Sequence, residues 1–145
     1  KWIPLIYAGA MGVDALSALL VGYLYDRKGL PVLLTVVVVS AWSAPLVFLS
    51  GSGGLIGGMA LWGIGMGAQE SIIRAIVANL VPTDRRATGY GVFNAGFGLA
   101  WFVGSAVMGI LYDRSLIVLA VFSVAAQLTS LPLLYSFQKR LISDL

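Results

Sequence analysis

Five long apolar runs, almost free of charge, leave this chain few ways to fold. They cover residues 2–25, 30–49, 54–81, 88–112 and 116–137. A helix needs about 20 residues to cross the hydrocarbon of a bilayer, and each run is near or above that length. A buried helix of a soluble protein would show an apolar stripe with a charged outer face. The stretch LPVLLTVVVVSAWSAPLVFL shows none. The expected fold class is therefore all-α, a polytopic membrane bundle of five transmembrane helices, in one transmembrane unit over residues 1–145.

Composition limits the chemistry. The sequence has no cysteine and no histidine, and 59% of its residues are hydrophobic against 10% charged. That removes disulfides, thiolate nucleophiles, the commonest metal ligand and the commonest general base. No cofactor, no metal and no enzymatic activity are expected. The net charge of +3 is small and scattered, so no nucleic-acid partner is expected either. The lipid bilayer is the partner such a chain needs.

The interruptions between runs are sorted by charge. Arg27 and Lys28 follow the first run, Arg85 and Arg86 the third, and Lys139 and Arg140 the fifth. The alternate turns hold the neutral Gly-Ser-Gly-Gly at 51–54 and the single Arg114. Positive residues stay cytoplasmic, which puts the N-terminus outside and the C-terminus inside a cell membrane. Pro31 suits the first turn of the second helix, and Pro45 and Pro132 should bend theirs. An odd number of helices, an external start without methionine and no cleavable signal lead us to expect an excerpt of a longer polytopic protein.

The first basic turn carries a phrase that interrupts the apolar pattern, Gly-Tyr-Leu-Tyr-Asp-Arg-Lys-Gly from Gly22 to Gly29. Its frame of Gly22, Leu24, Asp26, Arg27 and Gly29 resembles the loop signature of the major facilitator superfamily. There the loop joins the second and third helices of each six-helix half on the cytoplasmic side. Leu30-Pro31 follows where the family often has Arg or Lys, as in the weaker copy of the C-terminal half. Residues 81–113, with a Pro, a basic loop and a glycine-rich helix ending in Gly-x-Leu-x-Asp, also look like the family's tenth-to-eleventh helix passage. A second copy of the phrase, ending at Asp113, falls on the opposite side and reads as a helix-end turn.

This resemblance covers essentially the whole chain, as the eighth to twelfth helices of a twelve-helix transporter. It implies secondary active transport of a small solute by alternating access, as symporter or antiporter, with proton or sodium as possible coupling ions. The missing N-terminal half would be the partner. For Asp26 and Arg27 it implies a cytoplasmic network that latches one half to the other. Without the family, Tyr25 anchors the helix end at the interface and Gly29 permits a tight turn.

Ionisable residues inside spans are costly and usually functional. Here they are Asp14, Glu70 and Arg74. Glu70 and Arg74 are four apart with the acid first, the favourable order for an intrahelical pair. Asp14 and Glu70 each lie about 17 Å from the cytoplasmic ends of their helices, and Trp101 reaches about the same depth. Gly63, Gly67, Glu70 and Arg74 share one helical stripe; Ala10, Asp14 and Ala18 form a second; Asn94, Gly98, Trp101 and Ser105 form a third. Such stripes permit close packing, and their polar members bond across it or face a water-filled cavity. The candidate substrate or ion-coupling residues are thus Asp14, Glu70, Arg74, Asn94 and Trp101, with Gln69 as a weaker one. Asp14, unpartnered on its own helix, is the candidate for proton uptake and release.

Other readings fit less of the sequence. Gly63-x-Gly65-x-Gly67 has no preceding strand and no following lysine, so it is not a nucleotide loop. Gln69-Glu70-x-x-x-Arg74 is similar to the Glu-Glu-x-x-x-Arg element of CAAX-processing proteases, but the first Glu is Gln and that family's histidines are missing. A non-transporting membrane scaffold or assembly subunit is the alternative, because glycine-rich helices also serve association alone.

Overall fold

The computed structural model describes residues 3–143. Trp2, at the start of the first apolar run, lies outside them, as do the side chains of Lys139 and Arg140. Among the described residues there are six α-helices, one 3-10 turn and no strand: α1 (Ile3–Lys28), α2 (Leu30–Ser40), α3 (Ser43–Leu49), α4 (Gly51–Leu80), the 3-10 turn Thr83–Arg85, α5 (Arg86–Arg114) and α6 (Leu116–Ser143). Helices α2 and α3 make one bent rod, so the architecture is five rods.

Four rods are both long and apolar enough to cross a membrane: Pro4–Lys28, Pro31–Leu49, Thr83–Arg114 and Leu116–Ser136. Helix α4 is long enough, at 30 residues, but its glycines and its Gln69, Glu70 and Arg74 dilute its hydropathy. Its position explains why that is tolerated. It is the hub of the bundle, packed against α1, α2, α3 and α5. A helix surrounded by protein need not offer apolar side chains to lipid all round.

The bend in the second rod follows from Pro45. Proline has no N–H to give to the carbonyl four residues back, Ala41, and in a straight helix its ring would strike that carbonyl. The chain turns at Ala41 and Trp42. Ala41 N–H still donates to Val37 O at 3.0 Å, while Trp42 N–H moves to Val39 O at 3.3 Å, a tighter turn. Leu46 N–H then donates to Trp42 O at 3.2 Å and helical bonding resumes. Around Pro132, by contrast, α6 runs on as a single helix.

The turn between α3 and α4 is shorter than composition suggests. The neutral run at 51–54 belongs to the first turn of α4, and only Ser50 separates the two helices. Gly51, at φ 67°, makes the reversal. At the other end, Gly29 sits between α1 and α2 at φ 68° and ψ −147°, with its N–H donating to Tyr25 O at 2.7 Å. That backbone conformation is essentially reserved for glycine, and Pro31 fixes the helix start just after it. Gly29→Ala should therefore cost about 1–3 kcal/mol of backbone strain. The expected result is a thermal unfolding midpoint a few degrees lower in the full-length protein, with solute affinity unchanged; an unaltered midpoint would show that the loop relaxes freely.

Packing inside the bundle centres on α1, α2 and α4. Val21, Leu33, Val37, Ala68 and Ile72 form the buried cluster, with Tyr25, Leu34 and Ile76 against it. The closest approaches are made by glycines on three faces of α4. A Cβ at Gly58 would meet Ser43 O at 2.7 Å on α3, and one at Gly65 would meet Ser40 Cβ at 2.9 Å on α2. Gly63 and Gly67 face α1. Between helices in lipid there is little hydrophobic gain, so association depends on this fit.

Candidate functional site

The α1–α4 seam is built backbone to backbone. Ala10, Asp14 and Ala18, four residues apart on α1, lie against Gly63 and Gly67, four apart on α4. A Cβ at position 63 would stand 2.5 Å from Ala10 O and 3.3 Å from Asp14 N. A Cβ at position 67 would land on the carbonyl oxygen of Asp14 and lie 2.8 Å from Ala18 N. Further along, Gly22 approaches Ser71, whose Oγ would be 2.6 Å from a Cβ there. Within this seam Asp14 Oδ1 is buried and has no hydrogen-bond partner among the described residues. Burial of such an atom is unfavourable unless it finds a hydrogen-bond partner.

A second polar feature lies on another side of α4. Arg74 Nη2 donates to Glu70 Oε2 at 3.1 Å, the i, i+4 pair. Both side chains are exposed in this chain, so the pair is not a buried lock. It borders a cavity of about 150 Å³ between α4 and α5. Gln69, Glu70 and Arg74 form its wall on α4, and Phe93, Asn94 and Phe97 its wall on α5. Tyr90 Oη donates to the Arg74 carbonyl at 3.0 Å and ties the two helices beside it. Phe93 stacks on Phe97 at 5.9 Å between centroids, and Phe97 meets Trp101 at 5.8 Å. Acid, base and one amide on α4 thus meet a second amide and an aromatic row on α5. A larger depression, about 570 Å³, lies at Leu34, Val38, Pro132 and Tyr135, but it offers almost no polar group.

The residues singled out from sequence are therefore divided. Glu70, Arg74, Asn94 and Gln69 come together, and Trp101 joins them through Phe97. Asp14 lies in the α1–α4 seam, outside that cavity's lining. Of the loop residues, Arg27 places its guanidinium 4.4 Å from the centre of the Tyr23 ring, and Asp26 makes no ion pair among the described residues. Tyr90, Phe93 and Phe97 were missed by sequence reasoning. Their signal was present: Phe93, Phe97 and Trp101 recur every four residues, which places them on one face of a helix.

The described residues thus form a multi-helix bundle, with four rods long and apolar enough to cross a membrane and a charged pair beside a cavity between two helices. The family model described as Major Facilitator Superfamily matches residues 2–140, and the chain belongs to that family. Among curated proteins it is similar to ones described as uncharacterized in Mycobacterium tuberculosis and Mycobacterium bovis. Each is 39% identical over 136 residues, covering 94% of this chain and 33% of the relative. The chain thus spans about a third of the length of the curated relatives it matches. No solved structure matches.

Proposed function

We propose that this chain is the part of a secondary active transporter that contributes helices eight to twelve, and that the whole protein moves a small solute by alternating access in a cell membrane. In this reading the N-terminus of the chain faces outward and the turns bearing Arg27, Arg85 and Lys139 face the cytoplasm. The observation that carries the proposal is the α4–α5 cavity, where Glu70, Arg74, Asn94 and Gln69 meet Phe93 and Phe97 in an otherwise apolar bundle. Intramembrane charge beside a cavity is expensive and persists for function. The acid and the base offer a solute both signs of charge, and the aromatic row offers a flat apolar face.

Asp14 serves ion coupling in this scheme. Its buried oxygen has no partner among the described residues, and a proton or a sodium ion would serve that carboxylate. Loading it removes a charge from the seam on which α1 and α4 meet and shifts the balance between inward- and outward-open states. Asp26 and Arg27 are the cytoplasmic latch between the halves.

The test is uptake into proteoliposomes by the full-length protein, with a panel of small solutes and with imposed pH or sodium gradients. Asp14→Asn should abolish gradient-driven accumulation while leaving solute exchange in the absence of a gradient. Accumulation that stays coupled in that variant removes Asp14 from the mechanism. Absence of uptake for every solute would favour the scaffold alternative.

A further inference from the structure

Helices α1, α2 and α3 are fitted to α4 by close steric approach, and α5 is not. A Cβ at Gly91, Gly96, Gly98 or Gly104 of α5 would meet no atom of α4 within 4 Å. No residue of α5 is buried among those described. At the turn, Gly89 leaves room for the side chain of Val81, whose Cγ2 would be 2.8 Å from a Cβ there. Beyond it a single hydrogen bond joins the two helices among the described residues, from Tyr90 Oη to the Arg74 carbonyl at 3.0 Å. We propose that Tyr90 is a positioning residue for the α4–α5 cavity: its hydroxyl sets the distance and rotation at which the α5 wall faces Glu70 and Arg74. Its bearing on transport rests on the reading of that cavity as the solute site.

The bond is placed for that task. Asn94 stands four residues after Tyr90, and Phe93 and Phe97 three and seven after it, so the anchor and the wall share one face of α5. On α4 the acceptor belongs to the same residue whose guanidinium borders the cavity. A carbonyl accepts two hydrogen bonds, so Arg74 O serves its own helix and the tyrosine together. Because main chain is the acceptor, the Arg74 side chain keeps its pairing with Glu70 at 3.1 Å. The tyrosine thus fixes where the arginine stands without competing for its charge.

Its location alone would suggest a different use. Tyr90 lies one turn, about 6 Å, inside the basic pair Arg85 and Arg86. Tyrosines at that depth commonly turn their hydroxyls to headgroups and water. Of the six tyrosines in the sequence, Tyr90 is the one whose hydroxyl bonds to protein among the described residues. Tyr23 and Tyr25, beside the other basic turn, do not. A hydroxyl given to a neighbouring main chain restrains the helix that carries it, and α5 is the helix that steric fit leaves least restrained.

The experiment uses the full-length protein in lipid nanodiscs, with Asn94→Cys as its single cysteine and a cationic methanethiosulfonate reagent as the probe. The rate of thiol modification reports how far the α5 wall stands from α4. Tyr90→Phe deletes the hydroxyl and keeps the ring, and it should raise that rate about tenfold, the scale of one interhelical hydrogen bond in a membrane. Replacing Tyr90 by 4-aminophenylalanine, which restores a donor at the same point, should return the rate to its original value. Leu99→Cys, on the opposite face of α5, should react alike in all three backgrounds. Equal rates at position 94 with and without the hydroxyl, zero included, would overturn the proposal. So would a rise that the restored donor does not reverse, or one matched at position 99, since either would mean general loosening. Uptake by Glu70→Gln and Arg74→Met tests the underlying reading separately: hydroxyl-dependent thiol rates beside uptake that survives both substitutions would keep Tyr90 as the strut and remove the solute site.

Discussion

Gly67→Leu is expected to destabilise the full-length protein strongly. A side chain there begins with a Cβ placed on the carbonyl oxygen of Asp14 and 2.8 Å from Ala18 N. Both obstacles are backbone, so no rotamer change relieves them. The two helices must separate and lose the contacts that hold them. Overpacking a core costs about 1–3 kcal/mol when side chains can yield, and more when they cannot. The expected midpoint of thermal unfolding is lower by about 10 °C or more, at roughly 2–4 °C per kcal/mol. Gly57→Leu on the same helix is the control. A Cβ there meets nothing within 4 Å, and leucine is the better helix former. Equal behaviour of the two variants would mean that the α1–α4 seam is not close in the folded protein.

Arg74→Met and Glu70→Gln should each reduce initial solute uptake at least about 100-fold, the scale on which a misplaced binding group acts. Each removes one of the two charges that border the α4–α5 cavity and leaves its partner uncompensated. Expression and the unfolding midpoint of each variant, measured alongside uptake, separate loss of binding from loss of folding. The double variant separates binding from architecture. With Glu70→Gln and Arg74→Met together, no unpaired charge remains, yet uptake should stay low. Wild-type uptake in that double variant would reduce the pair to a neutralised structural element.

The bundle was legible in the sequence because lipid imposes one solution on a long apolar run. The small-residue stripes were equally legible: Ala10, Asp14 and Ala18 recur at the spacing that meets Gly63 and Gly67, and the structure joins those two stripes. Two features were harder to read. Pro45 announced a bend, but where the chain would yield depended on which hydrogen bonds could shift, and it yielded at Ala41 and Trp42. The α4 stripe also placed Gly63, Gly67, Glu70 and Arg74 on one face, whereas packing splits them, the glycines toward α1 and the charged pair toward the α4–α5 cavity. Helical period fixes which residues are neighbours; it does not fix which partner each side of a broad face will meet.

With close steric stops on three of its sides, α4 behaves like an axle in tight bearings. It cannot tilt toward one partner without lifting from another, so a displacement imposed at Gly67 is felt at Gly58 and Gly65 through rigid main chain. Changes of size at those three positions should therefore be epistatic rather than independent, and any stroke that moves this rod carries its neighbours with it.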